Sequence, residues 1–313
     1  MFTSIWEDIK QQFSYGNTVT RIILVNIAVF VVVTIVRLVL FPIDEGISYN
    51  KFLHFFTISS HWQHNLTHPW VLITHMFLHE GLMHILWNML LLYWFGRIVG
   101  DLLGDRRVLP IYLLSGLVGG LTYFAMANAL TSWGFGDYAL GASAAFMGIV
   151  VVAGITAPDY IISLLFLGDV RLKYIVAVLV LLDLVAISWN NNTGGSFGHL
   201  GGAAMGYVIA TQLQQGNDLT EPVNKLLDKI SNFFRELFSN ERPKPKMAYK
   251  NPKTKQKQRT RRRSENKKGS HSSDSSSLSH QEKVDAILDK IKESGYESLS
   301  AKEKEFLFNA SKK

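Results

Sequence analysis

Gly141-Ala-Ser-Ala-Ala-Phe-Met-Gly148 opens an apolar run that continues to Ala157, and its one hydroxyl, Ser143, lies among small residues that ordinarily mean close helix packing. What this run is depends on its surroundings. Comparable blocks cover Val19 to Phe41, Leu82 to Val99, Val108 to Leu130, Leu172 to Trp189 and Gly198 to Leu213. With Leu140 to Ala157 they make six stretches of about 16 to 23 residues, at or near the length that crosses a bilayer. A soluble core spreads its apolar residues along the chain, whereas these come in blocks. The pattern predicts an all-α membrane protein with six transmembrane helices.

The mean hydropathy is only +0.12 because about 100 largely polar residues follow the last block. Most of the formal charge of +7 sits in that tail, where residues 241–268 carry thirteen Lys or Arg against two Glu. Such a segment cannot bury enough surface to fold, and it suits an anionic lipid surface better than nucleic acid when it follows a membrane domain. The chain has no cysteine, which excludes disulfides, thiolate metal sites and a cysteine nucleophile. Its first residues lack the pattern of a cleaved signal, so the first block is expected to remain as a span.

Positive charge marks cytoplasmic ends of spans. Lys10 and Arg21 flank the first block, Arg97, Arg106 and Arg107 join the second to the third, Arg171 and Lys173 precede the fifth, and the basic tail follows the sixth. The alternate connections, Pro42 to Glu80, Thr131 to Tyr138 and Asn190 to Phe197, hold Lys51 as their only Lys or Arg, so they are expected outside, with both termini cytoplasmic. Arg37 counts against that arrangement. The outer loop 42–80 is long and aromatic enough to carry short interfacial helices of its own.

Polar side chains within spans are costly and point to function. Arg37 and Asn128 lie near outer ends, and Asn26 has no evident polar companion in the sequence. His84 and Asn88 in the second span, Ser143 in the fourth, Asp183 in the fifth and His199 in the sixth are harder to excuse. His84, Ser143 and His199 all fall near outer ends and so share a depth, and His84 and Asn88, at i and i+4, share a face. Each has a structural reading: Ser143 as a packing residue, Gly202-x-x-x-Gly206 as close-packing glycines, His84 and Asn88 as interhelical hydrogen-bond groups. Their common depth fits chemistry better. A serine hydroxyl needs a base, and His199 supplies one; an oxyanion needs donors, and His84 and Asn88 supply them. Close packing of the fourth span on the sixth through Gly141, Ala142, Gly198 and Gly202 is expected to bring hydroxyl and imidazole together.

Other chemistries fit less well. His79-Glu-Gly-Leu-Met-His84 has one residue more than the HExxH zinc motif, which puts its histidines about 140° apart on a helix. His75 and His79 are spaced i, i+4 but lack an evident third ligand. The GxSxG elbow fails because residue 145 is Ala and the context is a helix. No metal or cofactor is expected. Asp183 can serve the nearby outer loop as well as His199, and a structural or gating role is expected for it.

His79-x4-His84-x3-Asn88, Gly141-Ala-Ser143-Ala and His199-Leu-Gly-Gly-Ala-Ala-Met-Gly206, in this order on the second, fourth and sixth spans, resemble the rhomboid intramembrane serine proteases. The similarity runs over about residues 15 to 214. It implies a six-helix bundle that cuts transmembrane segments of other membrane proteins, with Ser143 as nucleophile, His199 as base, and His84 and Asn88 beside the oxyanion. It also implies that the fifth span and the 190–197 loop form the substrate gate and cap. Two positions depart from the family pattern. Ala144 follows the serine where Gly is common, and Met147 stands where an aromatic commonly stacks on the histidine, with Phe146 one position away. A non-catalytic rhomboid-like protein that binds transmembrane clients is the alternative, and a transporter using the polar cluster is a third reading.

The expected organisation is a cytoplasmic segment 1–18, the protease domain 19–214, an amphipathic helix 215–240, a basic and Ser-rich disordered linker 241–280 and a helical hairpin 281–313. The amphipathic helix rests on Val223, Leu226, Leu227, Ile230, Phe233, Phe234, Leu237 and Phe238. The hairpin rests on Val284, Ile287, Leu288 and Ile291, a break at Ser294-Gly295 and a Ser300-x-x-Glu303 cap. So small a unit is expected to need a partner, a membrane or an oligomer. The expected location is the bacterial cytoplasmic membrane, as a multi-pass protein.

Overall fold

The computed structural model describes residues 16–164, 168–189, 192–238 and 280–310. Two compact units divide at residues 242 and 243.

In the first unit the helices are α1 (Thr18–Asp44), α2 (Ile47–His54), α3 (Trp62–Thr67), α4 (Val71–Thr74), α5 (Leu82–Leu103), α6 (Val108–Ala129), α7 (Ser143–Thr156), α8 (Leu172–Ser188), α9 (Thr193–Gln214) and α10 (Thr220–Phe238). The six apolar blocks correspond to α1, α5, α6, α7, α8 and α9. Among the described residues three helical segments are long and apolar enough to cross a bilayer: Thr18–Asp44, Leu82–Leu103 and Asp105–Ala129. The unit is mostly helical, as expected, and it also holds four short strands that the sequence did not announce. Strands β1 (Ile58–Ser59) and β2 (Tyr138–Ala139) pair antiparallel, as do β3 (Ile161–Leu164) and β4 (Gly168–Arg171).

Why α7 is so short follows from where it lies. At about 1.5 Å per residue, fourteen residues reach only about 21 Å, less than the hydrocarbon thickness. Eleven of the fourteen are buried, so α7 is sheathed by other helices and has no lipid thickness to match. Small residues make that sheath possible. A Cβ on Gly202 would sit 1.9 Å from the Ala144 carbonyl oxygen, and one on Gly206 would sit 2.3 Å from that of Gly148. The Gly202-x-x-x-Gly206 edge of α9 therefore lies directly on the backbone of α7. Gly198, expected in the same contact, faces Gly119 on α6 instead.

Polar groups in the spans find partners that the sequence did not reveal. Asn26 donates to the Ile22 carbonyl at 2.9 Å and to the Tyr112 hydroxyl at 3.4 Å, and Tyr112 donates onward to the Met76 carbonyl at 2.6 Å. Asn128 donates to the Ser60 carbonyl at 2.8 Å, tying α6 to the 42–80 segment. Arg37 lies over the rings of Phe41 and Tyr49, a cation–π arrangement that accommodates a base in an apolar helix.

The 42–80 segment is built rather than slack. It holds α2 to α4, and the Trp70 indole donates to the Phe55 carbonyl at 2.7 Å while the Thr74 hydroxyl donates to that of Phe56 at 2.7 Å. At the other end of the bundle, Asp105 accepts from the Thr18 N–H at 2.8 Å and so caps α1. Arg107 pairs with Asp218 at 2.8 Å and Arg106 with Asp228, holding α10 against the end of α6. Leu226, Ile230, Phe233, Phe234 and Leu237 of α10 are exposed.

In the second unit, α11 (His280–Ser294) and α12 (Ala301–Ala310) form a hairpin around a break at Gly295. Glu303 accepts from the Ser300 N–H and hydroxyl, both at 2.7 Å, closing the capping box, and also from Lys290 at 2.9 Å. Apart from His280, the basic and Ser-rich linker lies outside the described residues, with its expected lipid contact. So do residues 1–15 and 311–313.

Candidate active site

A cleft of about 1060 Å³ opens between α5, α7 and α9, and Ser143, His199, His84 and Asn88 all line it, with Trp87 and Phe146 among its walls. Three helices that are far apart in sequence thus deliver the four expected residues to one space.

Each arrives for a local reason. Ser143 is the first residue of α7, reached through Gly141 at φ +125°, a conformation that favours glycine. A Cβ at Gly141 would also lie 2.9 Å from His84 Nε2, so the absent side chain makes room for the imidazole. The turn itself is held from the 42–80 segment: the His75 carbonyl accepts from the Gly141 N–H at 2.8 Å, and His79 Nε2 accepts from the Ala142 N–H at 3.4 Å. Accepting requires an unprotonated ring. Burial, with the neighbouring His84, pushes the His79 pKa down to about 3, and burial pushes that of His75 to about 4. Both histidines are therefore neutral structural groups. Among the described residues no cluster of three His, Cys, Asp or Glu could hold a metal ion.

The start of α7 has electrostatic consequences. The first N–H groups of a helix have no intrahelical acceptor and carry partial positive charge, and Ser143 sits among them. Asn88 adds a donor: it is buried, and its Nδ2 has no hydrogen-bond partner among the described residues. A buried amide left unpaired at a cleft is where a ligand oxygen would be accommodated. His84 is exposed and meets His79 edge-to-face, with ring centroids 5.0 Å apart.

His199, in the second turn of α9, is half-buried. Its Nδ1 lies 2.7 Å from Asp183 Oδ1 on α8. Among the described residues no hydrogen bond joins His199 to the Ser143 hydroxyl, although both line the cleft. A catalytic contact of this kind is often long without substrate. Of the two partners open to this carboxylate, the outer loop and His199, the structure shows the contact with His199. Part of that loop is also absent as such, because α9 begins at Thr193 and residues 193–197 are helical.

Fold and site together define a helical membrane protein with a serine and a histidine facing one cleft. Residues 66–215 match the Rhomboid domain family, which supports reading this part of the chain as a Rhomboid domain. Residues 275–313 match a family of unknown function, DUF6576. Among curated proteins, Rhomboid-like protease 3 of Toxoplasma gondii is 23% identical over 169 residues, covering 54% of this chain and 57% of that protein. Putative rhomboid protease YdcA of Bacillus subtilis (strain 168) is 28% identical over 146 residues, covering 45% of this chain and 65% of that protein. Rhomboid protease GluP of the same organism is 30% identical, covering 46% of this chain and 26% of that protein. The chain thus spans less than two thirds of the length of each of these relatives.

Proposed function

We propose that this protein is an intramembrane serine endopeptidase that cleaves transmembrane segments of other membrane proteins. The observation that carries the reading is the convergence of Ser143, His199, His84 and Asn88, from three helices, on one cleft. Names of relatives as rhomboid proteases support it. In this reading all six apolar helices sit in the bilayer, with both termini cytoplasmic and the cleft open to water on the outer side.

The chemistry follows from the groups. Ser143 Oγ attacks the scissile carbonyl carbon, and its proton passes to His199. The carbonyl oxygen becomes an oxyanion facing the Ser143 N–H at the start of α7, the Asn88 amide and His84. Collapse breaks the C–N bond, and His199 gives its proton to the leaving amine. Water then enters, gives a proton to His199 and attacks the acyl-serine; the ester bond breaks and the proton returns to Ser143. No step requires more than these side chains.

The test is cleavage of a helix-destabilised transmembrane substrate in proteoliposomes by the unaltered protein, Ser143→Ala and His199→Ala. The expected result is cleavage by the first and none by the other two. Cleavage surviving either substitution removes the dyad, and none by the unaltered protein across several substrates favours a client-binding protein without catalysis.

A further inference from the structure

The side chain nearest to settling how His199 works lies outside the expected set. His199 Nδ1 and Asp183 Oδ1 are 2.7 Å apart, and the two side chains are 20% and 15% exposed. The ring is therefore held from one side by a largely buried carboxylate. Among the described residues no aromatic ring stacks on it. Met147, at the position where an aromatic would be expected to stack, is 2% exposed and does not line the cleft.

An ionised carboxylate can only accept hydrogen bonds, so a contact at 2.7 Å requires the proton to be on Nδ1. A neutral imidazole carries one ring proton. With Nδ1 occupied, Nε2 keeps its lone pair, and it is the nitrogen left free to take the Ser143 proton. When that proton arrives, the imidazolium sits beside a largely buried negative charge, which favours the state the reaction must pass through. Apart from Leu172, no described side chain of α8 is fully buried, and Ile175, Val176, Leu179 and Val180 pack only partly buried against the core, while a carboxylate in an apolar helix is costly without a partner.

We propose that Asp183 is a positioning residue: it fixes the Nδ1-protonated tautomer of His199 and steadies the imidazolium, making the working site a Ser143–His199–Asp183 relay rather than a bare dyad. The inference rests on the protease reading for its catalytic part, but its tautomer part stands independently.

Asp183→Asn separates positioning from a merely structural tie, because an amide can still hydrogen-bond the ring and link α8 to α9 without fixing the tautomer. In proteoliposomes, Asp183→Asn and Asp183→Ala should each lower kcat by about 100-fold or more with KM little changed. Resistance to unfolding in detergent should persist in Asp183→Asn. A structural tie predicts instead that Asp183→Asn keeps its kcat and that Asp183→Ala loses stability. The second measurement needs no substrate: ¹⁵N resonances of the histidine rings in the solubilised protein, with His199 assigned by its loss in His199→Gln. The unaltered protein should show His199 protonated on Nδ1, and Asp183→Asn a mixture of tautomers. A ring protonated on Nε2 in the unaltered protein overturns the proposal whether or not the protein is a protease. Cleavage that is unaffected by Ser143→Ala overturns the protease reading and leaves the tautomer result to stand or fall separately.

Discussion

Helices α7 and α8 follow one another in the chain and could hardly be held more differently. In α7, eleven of fourteen residues are buried, and the backbone itself is in contact with α6 and α9. In α8, Leu172 at the start is the one buried side chain among those described, while Val178, Leu181, Leu182 and Leu184 are all at least half exposed. Its hold on the bundle comes from Ile175, Val176, Leu179 and Val180, which are partly buried against the core, and from Asp183 on His199 toward its other end. Ser143 is thus placed by the close packing of α7, whereas His199, on the closely packed α9, takes one further polar contact from the loosely packed α8.

The contrast can be broken most violently at Gly202. Its added Cβ would penetrate the Ala144 carbonyl, which is backbone and cannot rotate away. Gly202→Ala should therefore cost about 3 kcal/mol or more and displace the start of α7, abolishing activity. Reversible unfolding in mixed detergent micelles checks the first, and proteolysis of a transmembrane substrate the second. Stability within about 0.5 kcal/mol of the unaltered protein would mean that α7 and α9 are not in backbone contact.

On the loose side the effect should nearly vanish. Leu182→Ala, on an exposed face of α8, should change unfolding stability by no more than about 0.5 kcal/mol. A loss of 2 kcal/mol or more in the same assay would mean that α8 is packed as tightly as α7.

Most of this was legible in the sequence because hydrocarbon imposes blocks. The apolar runs located α1, α5, α6, α7 and α8 to within a few residues, and polar residues stood out inside them. His84, Asn88, Ser143 and His199 stood out because each is costly where it lies, and all four line one cleft. Three things were not legible. The partner of Asp183 depends on how far α8 is slid along α9, a register set between helices and not within either. The start of α9 at Thr193 was hidden by Thr-Gly-Gly-Ser, which reads as a turn; in the structure Gly194 is a close contact of the Tyr123 ring, 3.0 Å from where its Cβ would be. The paired strands escaped because two to four residues carry too little alternation to register as β.

The smallest expected effect lies in the second unit, which contrasts with both helices in being held by exposed polar contacts. Ser300 and Lys290 lower the Glu303 pKa to about 2. A depressed carboxylate pKa stabilises the fold above the unfolded-state value and loses that contribution as pH falls toward the folded one. Protection of backbone amides in residues 284–310 of the full chain, corrected for intrinsic exchange, should therefore decline between about pH 4.5 and 2. Glu303→Gln should be less protected at neutral pH and lose most of that decline; an unchanged profile would show that the capping box contributes nothing.

The central claim is that Ser143 is the activated nucleophile, and mapping the site of a serine-directed fluorophosphonate by mass spectrometry tests it most directly. In the detergent-solubilised protein the account predicts one adduct, on Ser143, strongly reduced in His199→Ala. An adduct formed equally well without His199, or found on another serine while Ser143 stays unmodified, would contradict it.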